Sequence, residues 1–230
     1  MTYNELPIKS KRLFYDKLSH LITEERKRTI EKIIDLRTSY FIPVIENIHK
    51  AQNASAVLRT CDCLGLQDVR IVENNNKFSV TDDISLGANK WLSIKKYNSS
   101  NNNTKKCFDE LKKQGYKIIA TMPYKNDINL QDINITQKSA IVFGSEVDGI
   151  SQEAIDNADA FMKIPMYGFT ESFNISVAVA ITMHYLTDKL RHSNIQWQLD
   201  ENERIDTLIF WALQSTHDSK KIEQELLKRL

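Results

Sequence analysis

The stretch from Ile141 to Ala180 constrains the fold more than any other part of the chain. Two apolar segments that we predict as buried strands, Ala140–Phe143 and Ala160–Ile164, each run directly into a loop rich in Gly, Pro, Ser and Asn. The second loop opens a helix rich in small residues. Ligands of open α/β sheets bind outside the carboxyl ends of the strands, so this stretch predicts a ligand pocket.

Strands and helices alternate from residue 40 to about residue 190, which predicts an α/β fold with a mostly parallel sheet and helices on both faces. The predicted strands that precede residues 140–180 are Tyr40–Ile48, Val69–Glu73, Trp91–Tyr97 and Tyr116–Thr121, the last ended by Met122 and Pro123. The predicted helices are one capped by Asn53 and stopped by Gly65, one from a Thr104 cap to Gly115, a short one capped by Ser151, and a long one from Asn174 or Ile175 to about Arg191. Residues 124–138 are predicted to form a loop, and Asn98–Asn103 is predicted to be a polar connection.

Helical segments flank this core on both sides. Residues 9–38 contain no Gly or Pro and predict two short helices broken near Ser19–Thr23, with Thr23 capping the second. Ile205–Leu213 and Ile222–Leu230 have amphipathic helical patterns. We therefore expect a basic N-terminal extension over residues 1–39, a main domain over residues 40–191 and a helical C-terminal extension over residues 192–230.

The composition favours a cytoplasmic protein in a reducing compartment. The 230-residue chain has no apolar run of 18 residues and no apolar block behind its N-terminal Lys and Arg, so we expect neither a membrane partner nor a signal peptide. Its three cysteines, Cys61, Cys63 and Cys107, fit neither a disulfide framework nor a zinc pattern.

Positive charge is concentrated in the first 42 residues, which hold nine Lys and Arg against six Asp and Glu. Arg26, Lys27 and Arg28 lie in the middle of this segment. Such a segment can contact the phosphates of a nucleic acid, although a solvated helix face is an equally common explanation for a charge run by itself.

Several classes of site lack the residues they need. Only six glycines occur, and they form neither the Gly-x-Gly-x-x-Gly nor the Gly-x-x-x-x-Gly-Lys pattern that brings backbone close to phosphates in dinucleotide-binding and P-loop proteins. The five histidines are scattered, so we expect no metal site, and no Gly-x-Ser-x-Gly elbow is present.

Polar residues at the predicted strand ends are the remaining candidates for chemistry: Asn53, Arg59, Glu146, Ser172 and Asn174. Each has a simpler and, taken singly, more common explanation. The asparagines and the serine can cap helices, Glu146 can be a loop carboxylate, and Arg59 can face solvent. Their joint placement in three loops after apolar strands favours a functional site.

Three ordered stretches resemble the motifs of the SPOUT-class RNA 2′-O-ribose methyltransferases. They are Asn53-x-x-Ala56-x-x-Arg59, Phe143-Gly144-Ser145-Glu146-x-x-Gly149-Ile150-Ser151, and Ile164-Pro165-Met166-x-Gly168-x-x-x-Ser172-Phe173-Asn174-x-Ser176-x-Ala178. The segments Glu46–Lys50, Leu58–Asp62 and Gly87–Trp91, with both helical extensions, most resemble the TrmH group, whose members methylate the ribose of a guanosine in the tRNA D-loop.

The resemblance implies a C-terminal deep trefoil knot, a rare exception to the topology rules for protein chains. It also implies that S-adenosylmethionine is the cofactor, held by backbone groups of Thr121, Gly144, Ile164, Met166 and Phe173. Phe173 stands where the family usually has Leu, and Glu171 adds a carboxylate beside Ser172. Neither departure removes a motif position, so we expect an active enzyme.

The resemblance places Arg59 nearest the proton of the attacking 2′-hydroxyl, with Asn53 orienting it and with Glu146, Ser172 and Asn174 supporting the loops and the ribose. A guanidinium is protonated at neutral pH and is a poor base. Two roles therefore stay open for Arg59: a base activated by an RNA phosphate, or a clamp on that phosphate.

The family is dimeric, and the helix Val177–Met183 is apolar on more than one face, which suits packing against a second copy. We expect tRNA as the substrate and Arg26, Lys27 and Arg28 as RNA contacts. Methylation of ribosomal RNA or of another tRNA position would use the same motifs. A non-catalytic RNA-binding protein is the alternative of a different class, and it would be expected to have lost Arg59, Glu146 or Asn174.

Overall fold

The computed structural model describes residues 2–99, 102–122 and 128–230. The chain divides into two compact units, Thr38–Trp197, here the sheet unit, and Met1–Arg37 with Gln198–Leu230, here the terminal unit. The two predicted extensions are therefore parts of one unit. No helix within the described ranges is both long and apolar enough to cross a membrane.

The sheet unit contains a seven-stranded sheet in which every pairing is parallel, with strand order β3-β2-β1-β6-β4-β7-β5. The strands are β1 (Phe41–Glu46), β2 (Asp68–Val72), β3 (Ser93–Tyr97), β4 (Lys117–Thr121), β5 (Ile128–Asn129), β6 (Ser139–Phe143) and β7 (Ala160–Lys163). The predicted parallel α/β fold is confirmed. The trefoil knot that the resemblance implies stays a prediction.

Nine helices occur in the described ranges, besides short 3-10 turns. They are α1 (Ile8–Ser19), α2 (Glu24–Ile33), α3 (Ala51–Cys63), α4 (Asp82–Ser85), α5 (Asn103–Lys113), α6 (Gln152–Asn157), α7 (Ile175–Arg191), α8 (Glu201–Gln214) and α9 (Ser219–Leu227). The helix stop at Gly65 and the caps at Thr23, Ser151 and Asn174 are confirmed, since Gly65 has a φ of 75° and each cap side chain accepts a backbone N–H.

Apolar side chains cover the sheet on both faces, as predicted. Ile42 and Val44 of β1 belong to one buried cluster with side chains of α5 and α6. Phe41 and Ile45 belong to another cluster, with side chains of α3 and α7. Successive residues of a strand point to opposite faces, so the apolar run of β1 contributes to both cores, as expected for an interior strand of a parallel sheet.

Two predicted helix caps are wrong. Helix α3 begins two residues before Asn53, after Lys50, and α5 is capped by Asn102, whose side chain accepts the Lys105 N–H, rather than by Thr104. The side chains of Asn53 and Thr104 instead bond Glu146 and Glu46, far away in sequence. A hydrogen bond to a carboxylate is stronger than one to a backbone N–H at a helix end. The side chains of Asn53 and Thr104 therefore bond the distant carboxylates instead of capping their helices.

The loop predicted over residues 124–138 is wrong in its described part. Ile128 and Asn129 form β5, which pairs with β7, and Leu130, Ile133 and Ile135 are buried. The segment is too short and too polar around these residues for a strand pattern to be visible. Pro123, residues 124–127 and two residues of the predicted connection Asn98–Asn103, at positions 100 and 101, lie outside the described residues.

The terminal unit has its own core, because α1 and α2 pack with α8 and α9 around Phe14, Leu18, Ile30 and Trp211. Polar contacts join the two chain ends: Lys11 Nζ lies 2.6 Å from Asp206 Oδ1, and Arg204 lies 2.8 Å from Asp35. The Arg37 guanidinium lies 5.1 Å from the centre of the Trp211 ring.

Candidate functional site

A cavity of about 400 Å³ lies at the carboxyl ends of β6, β4 and β7, which are neighbours in the sheet. This volume falls within the range of about 300–1,000 Å³ for small-molecule sites. The cavity is lined by Thr121, Met122, Phe143, Gly144, Ser145, Glu146, Val147, Asp148, Gly149, Ile150, Ile164, Met166, Ser172, Phe173, Ile175 and Ala178. All five residues predicted to hold the cofactor are in this set, together with Glu146 and Ser172.

The loop after β6, residues 144–151, folds back on itself so tightly that only glycine fits at its start. The N–H and C=O groups of Ser145 and Gly149 bond each other at 2.9 and 3.1 Å, and Gly149 has a φ of 69°. A Cβ on Gly144 would lie 2.1 Å from the Gly149 carbonyl carbon. Gly144 therefore allows the loop to close and gives the cavity a wall made largely of backbone.

The loop after β7, residues 164–174, forms the opposite wall through Ile164, Met166, Ser172 and Phe173. Thr121, at the end of β4 between the two loops, donates its hydroxyl to the Val142 carbonyl at 2.9 Å. That bond turns the Thr121 hydroxyl toward the sheet. The backbone and the methyl group of Thr121 remain available to the cavity.

Three predicted site residues form one hydrogen-bonded chain beside the cavity. Asn53 Nδ2 donates to Glu146 Oε1 at 2.6 Å, and Asn174 Nδ2 donates to Asn53 Oδ1 at 3.3 Å. Asn174 Oδ1 in turn accepts the N–H of Ser176, in the first turn of α7, at 2.9 Å. The chain thus links the loop after β6, through the first turn of α3, to the start of α7.

Glu146 accepts hydrogen bonds from backbone as well as from Asn53. The N–H of His49 lies 3.0 Å from Glu146 Oε2, and the N–H of Lys50 lies 3.4 Å from Oε1. Burial raises the pKa of this carboxyl, but the bonds from Asn53 and from the backbone outweigh burial and hold the pKa of Glu146 below its ordinary value. Glu146 is therefore an ionised acceptor at neutral pH, not a proton donor.

Arg59 does not line the cavity. It is exposed on α3 and borders a separate groove of about 790 Å³ between α3 and α7, here the α3–α7 groove. The groove is lined by Ala56, Arg59, Thr60, Cys63, Leu64, Ile84, Ala180, Ile181, His184 and Tyr185. Within the part of the chain that the structure describes, the Arg59 guanidinium has no hydrogen-bond or ion-pair partner.

The three predicted RNA contacts lie on α2 of the terminal unit. Arg26 and Arg28 are exposed, and Lys27 is half-buried. Several residues that line the cavity were not predicted, among them Met122, Val147 and Asp148. The turn-forming sequence Ser145–Gly149 was the available signal for Val147 and Asp148, since a tight turn leaves its intervening residues at the surface.

The lining of the cavity suits S-adenosylmethionine. Among the described residues that form its walls there is no Lys, Arg or His, whereas the carboxyl groups of Glu146 and Asp148 are present. Such a site has no cation for a phosphate, and it tolerates the positive charge of a sulfonium. The apolar side chains of Phe143, Ile150 and Met166 suit the flat faces of a nucleoside.

Comparison with known proteins agrees with this geometry. The SpoU rRNA Methylase family matches residues 40–184. A tRNA (guanosine(18)-2′-O)-methyltransferase of Borreliella burgdorferi is 44% identical over 206 residues, which are 90% of this chain and 93% of that protein. A protein of the same name from Thermus thermophilus is 33% identical over 161 residues, covering 70% of this chain and 81% of that protein.

Solved structures share the fold. The A. aeolicus TrmH/SpoU tRNA modifying enzyme is 28% identical, with a TM-score of 0.74, and the match covers 84% of this chain and 98% of that chain. The SpoU methyltransferase AviRb from Streptomyces viridochromogenes, solved with AdoMet, is 17% identical with a TM-score of 0.60 over 70% of this chain and 65% of that chain, a likeness of fold alone. With its family match over residues 40–184 and its parallel sheet, the chain belongs to the SpoU methylase family.

Proposed function

We propose that this protein transfers a methyl group from S-adenosylmethionine to the ribose 2′-hydroxyl of guanosine 18 in tRNA. The observation that carries the proposal is the 44% identity to a tRNA (guanosine(18)-2′-O)-methyltransferase over nearly the whole of both chains. The cavity, the Glu146–Asn53–Asn174 chain and the exposed Arg59 supply the groups that such a reaction needs.

S-adenosylmethionine, when bound, supplies an electrophilic methyl group on a sulfonium. The 2′-oxygen gains that methyl group and its hydroxyl proton must leave, so the protein has to orient the hydroxyl and receive or stabilise the proton. The walls formed by residues 144–151 and 164–174 would exclude water from the cofactor and fix its position against the sheet edge.

Glu146, Asn53 and Asn174 act in this proposal as an orienting chain. Each amide in the chain donates through its Nδ2 and accepts through its Oδ1, so the orientation of both asparagine side chains is fixed. Ser172, exposed on the wall of the cavity, is available to the ribose. The low pKa of Glu146 suits a fixed acceptor better than a general acid.

Arg59 would enter the site from a second copy of the chain. Helix α7 exposes Val177 (43%) and Ile181 (37%), and Ile181 lines the α3–α7 groove beside Arg59. Exposed apolar residues at helical spacing suit a two-fold interface, where the same face of each copy is covered. A homodimer built on this face would give Arg59 a partner and a role, as base or as phosphate clamp.

Arg26, Lys27 and Arg28 are the proposed tRNA contacts outside the cavity. Two of the three side chains are exposed, as phosphate contacts require. Their substitution would weaken binding of all tRNAs to a similar degree and would reduce the salt dependence of binding, because phosphate contacts carry no sequence information.

The test is methyl incorporation by the purified protein from labelled S-adenosylmethionine into an unmodified tRNA transcript, followed by mapping of the alkali-resistant linkage. The matched control is the same transcript with 2′-deoxyguanosine at position 18. We expect one labelled linkage at guanosine 18 in the first transcript and none in the control. A protein that binds the cofactor but labels no tRNA would refute the proposal.

The same assay separates the alternatives. Label in ribosomal RNA alone, or at another tRNA position, would indicate the same chemistry on a different substrate. Binding of tRNA without any transfer would indicate a non-catalytic RNA-binding protein. The 44% identity to a protein named for guanosine 18 favours methylation at that position of tRNA over these alternatives.

A further inference from the structure

A second glutamate, Glu46, has a fully buried carboxylate at the end of β1, an interior strand of the sheet. Its Oε1 accepts the hydroxyl of Thr104 at 2.5 Å and that of Ser151 at 2.7 Å, and its Oε2 accepts the N–H of Ser151 at 2.9 Å. Burying an ionisable group is costly, so a carboxylate this well supplied with donors has a specific structural task.

Ser151 is the last residue of the loop that closes the cavity. It follows Gly149 and Ile150, both of which line the cavity, and its hydroxyl also caps α6 by accepting the Ala154 N–H at 3.1 Å. Glu46 therefore holds the point at which the loop becomes helix. Thr104, the other partner, is in the first turn of α5 and does not line the cavity.

Glu46 and Glu146 together hold this loop at both of its ends. Glu146, near the start of the loop, reaches out to the N–H groups of His49 and Lys50. Glu46, in the segment just before those residues, reaches the end of the loop at Ser151. Each of the two segments, residues 46–50 and residues 144–151, thus provides one glutamate that accepts hydrogen bonds from the other segment.

We propose that Glu46 is a positioning residue for the cofactor cavity: through Ser151 it holds the loop 144–151 closed and so sets the affinity for S-adenosylmethionine. This inference rests on the proposed function for the identity of the ligand. The side-chain hydrogen bonds of Glu46 given above go to Thr104 and Ser151, so its effect on the cavity is expected in cofactor affinity and loop mobility. The transfer step, which depends on Arg59, is separate.

Loss of the carboxylate would leave the half-buried N–H of Ser151 and two hydroxyl groups without this acceptor, and the loop end would shift to find water. A glutamine at this position keeps the interactions when its amide is turned. Its oxygen then accepts the Ser151 N–H, and its NH₂ donates to the hydroxyls of Thr104 and Ser151. The amide variant is thus the conservative replacement, and the alanine variant is the disruptive one.

The experiment measures the dissociation constant for S-adenosylmethionine by calorimetry in the absence of RNA, and the thermal unfolding midpoint by circular dichroism. The variants are Glu46→Ala, Glu46→Gln, Ser151→Ala and Ser151→Thr, with Thr104→Val as the matched control that removes the Glu46 contact not involving the loop. Hydrogen exchange of residues 144–151 reports the loop directly.

We expect about tenfold weaker cofactor binding and faster exchange of the loop amides for Glu46→Ala and Ser151→Ala, from the loss of satisfied buried hydrogen bonds. Glu46→Gln and Ser151→Thr should bind within about threefold of the wild type, because they retain the bonds. Thr104→Val should lower the unfolding midpoint and leave the dissociation constant within about twofold.

A folded Glu46→Ala variant with wild-type affinity would overturn the proposal. If Glu46→Ala does not fold, the cofactor affinity of Ser151→Ala is compared with that of Ser151→Thr, and equal affinities would overturn the proposal. Equal loss of affinity in Thr104→Val and Ser151→Ala would also overturn it, since a general loss of stability would then explain both. A wild-type protein that binds the cofactor without methylating tRNA would refute the proposed function, and the dissociation constants of the variants would still decide this inference. A wild-type protein that binds no cofactor would refute both.

Discussion

The cofactor cavity and the α3–α7 groove share helix α7 and differ in how far their polar side chains are already held by hydrogen bonds. At the cavity, Glu146, Asn53 and Asn174 bond one another and the backbone, so each side chain has a fixed orientation. In the groove, Arg59 is exposed and is surrounded mainly by apolar or small residues of α3 and α7.

This difference separates binding from transfer. The described residues of one chain already enclose the cavity, so we expect a single copy to bind the cofactor. The residue proposed for the transfer step lies on a face that needs a partner, whether RNA or a second copy, to be covered. Substitutions on the two sides should therefore affect different steps, and the following predictions test that separation in order of expected effect.

Arg59→Ala should cause the largest loss, about 10²- to 10⁴-fold in the rate of methyl transfer, because it removes the group proposed to act on the transferred proton. Cofactor affinity should be unchanged, since Arg59 does not line the cavity. Single-turnover kinetics and calorimetry measure the two quantities. Substantial recovery in Arg59→Lys would favour a phosphate clamp and count against the base, while a parallel loss of cofactor affinity would break the separation.

Gly144→Ala should damage the cavity without touching the groove. Its Cβ would lie 2.1 Å from backbone of Gly149, so the loop 144–151 cannot close as it does in the wild type. We expect cofactor binding to weaken at least about tenfold, or 1.4 kcal/mol. The matched control is Gly168→Ala in the other loop, where the nearest atom is 4.0 Å from the added Cβ. Equal affinities of the two variants in calorimetry would contradict the proposed wall.

Ile181→Arg should break the groove side. A charge on the exposed face of α7 opposes a two-fold contact, so the proposed dimer should dissociate and transfer should fall by about tenfold at micromolar protein. Cofactor binding should persist. Ile33→Arg, on α2 of the terminal unit at nearly the same exposure (38% against 37%), adds the same charge elsewhere. Sedimentation velocity measures the oligomeric state of both variants. An Ile181→Arg protein that remains dimeric would refute this interface.

The smallest effect concerns the pH dependence of stability. The pKa of Glu146 is lowered in the folded protein, so its ionised form contributes stability above the ordinary glutamate pKa of about 4.3. That contribution is lost as pH falls through the lowered pKa. The unfolding midpoint of Glu146→Gln should therefore lie below that of the wild type at pH 7, and the gap should narrow toward pH 3. A gap that is constant with pH would exclude this role of the carboxylate.

Local patterns predicted most of the fold because strands and helix ends depend on neighbouring residues. The apolar runs of β1, β4, β6 and β7 and the caps at Thr23, Ser151 and Asn174 were visible in this way. The two-residue strand β5 was missed because it is held by pairing with β7 rather than by its own sequence.

The polar contacts of the site could not be predicted from local patterns. Asn53 and Thr104 were expected to cap helices, but their partners are carboxylates about 93 and 58 positions away in the chain. Glu46 was predicted as part of a strand end and of the segment Glu46–Lys50 that carries the family resemblance, with no role of its own. Nothing in its neighbouring residues indicated that it would accept three bonds from two distant helices. The place of Arg59 outside the cavity likewise depends on how α3 packs on α7.

The position of β6 between β1 and β4 also determines the order in which the protein can fold as it is synthesised. β1 and β4 emerge from the ribosome first, yet each pairs with β6, so each keeps an unpaired edge until residue 143 has been added. Pairings so distant in sequence form slowly, and exposed strand edges invite aggregation. We expect nascent chains that end before β6 to depend on chaperones, and the cavity to form only when β6 and β7 have completed the sheet.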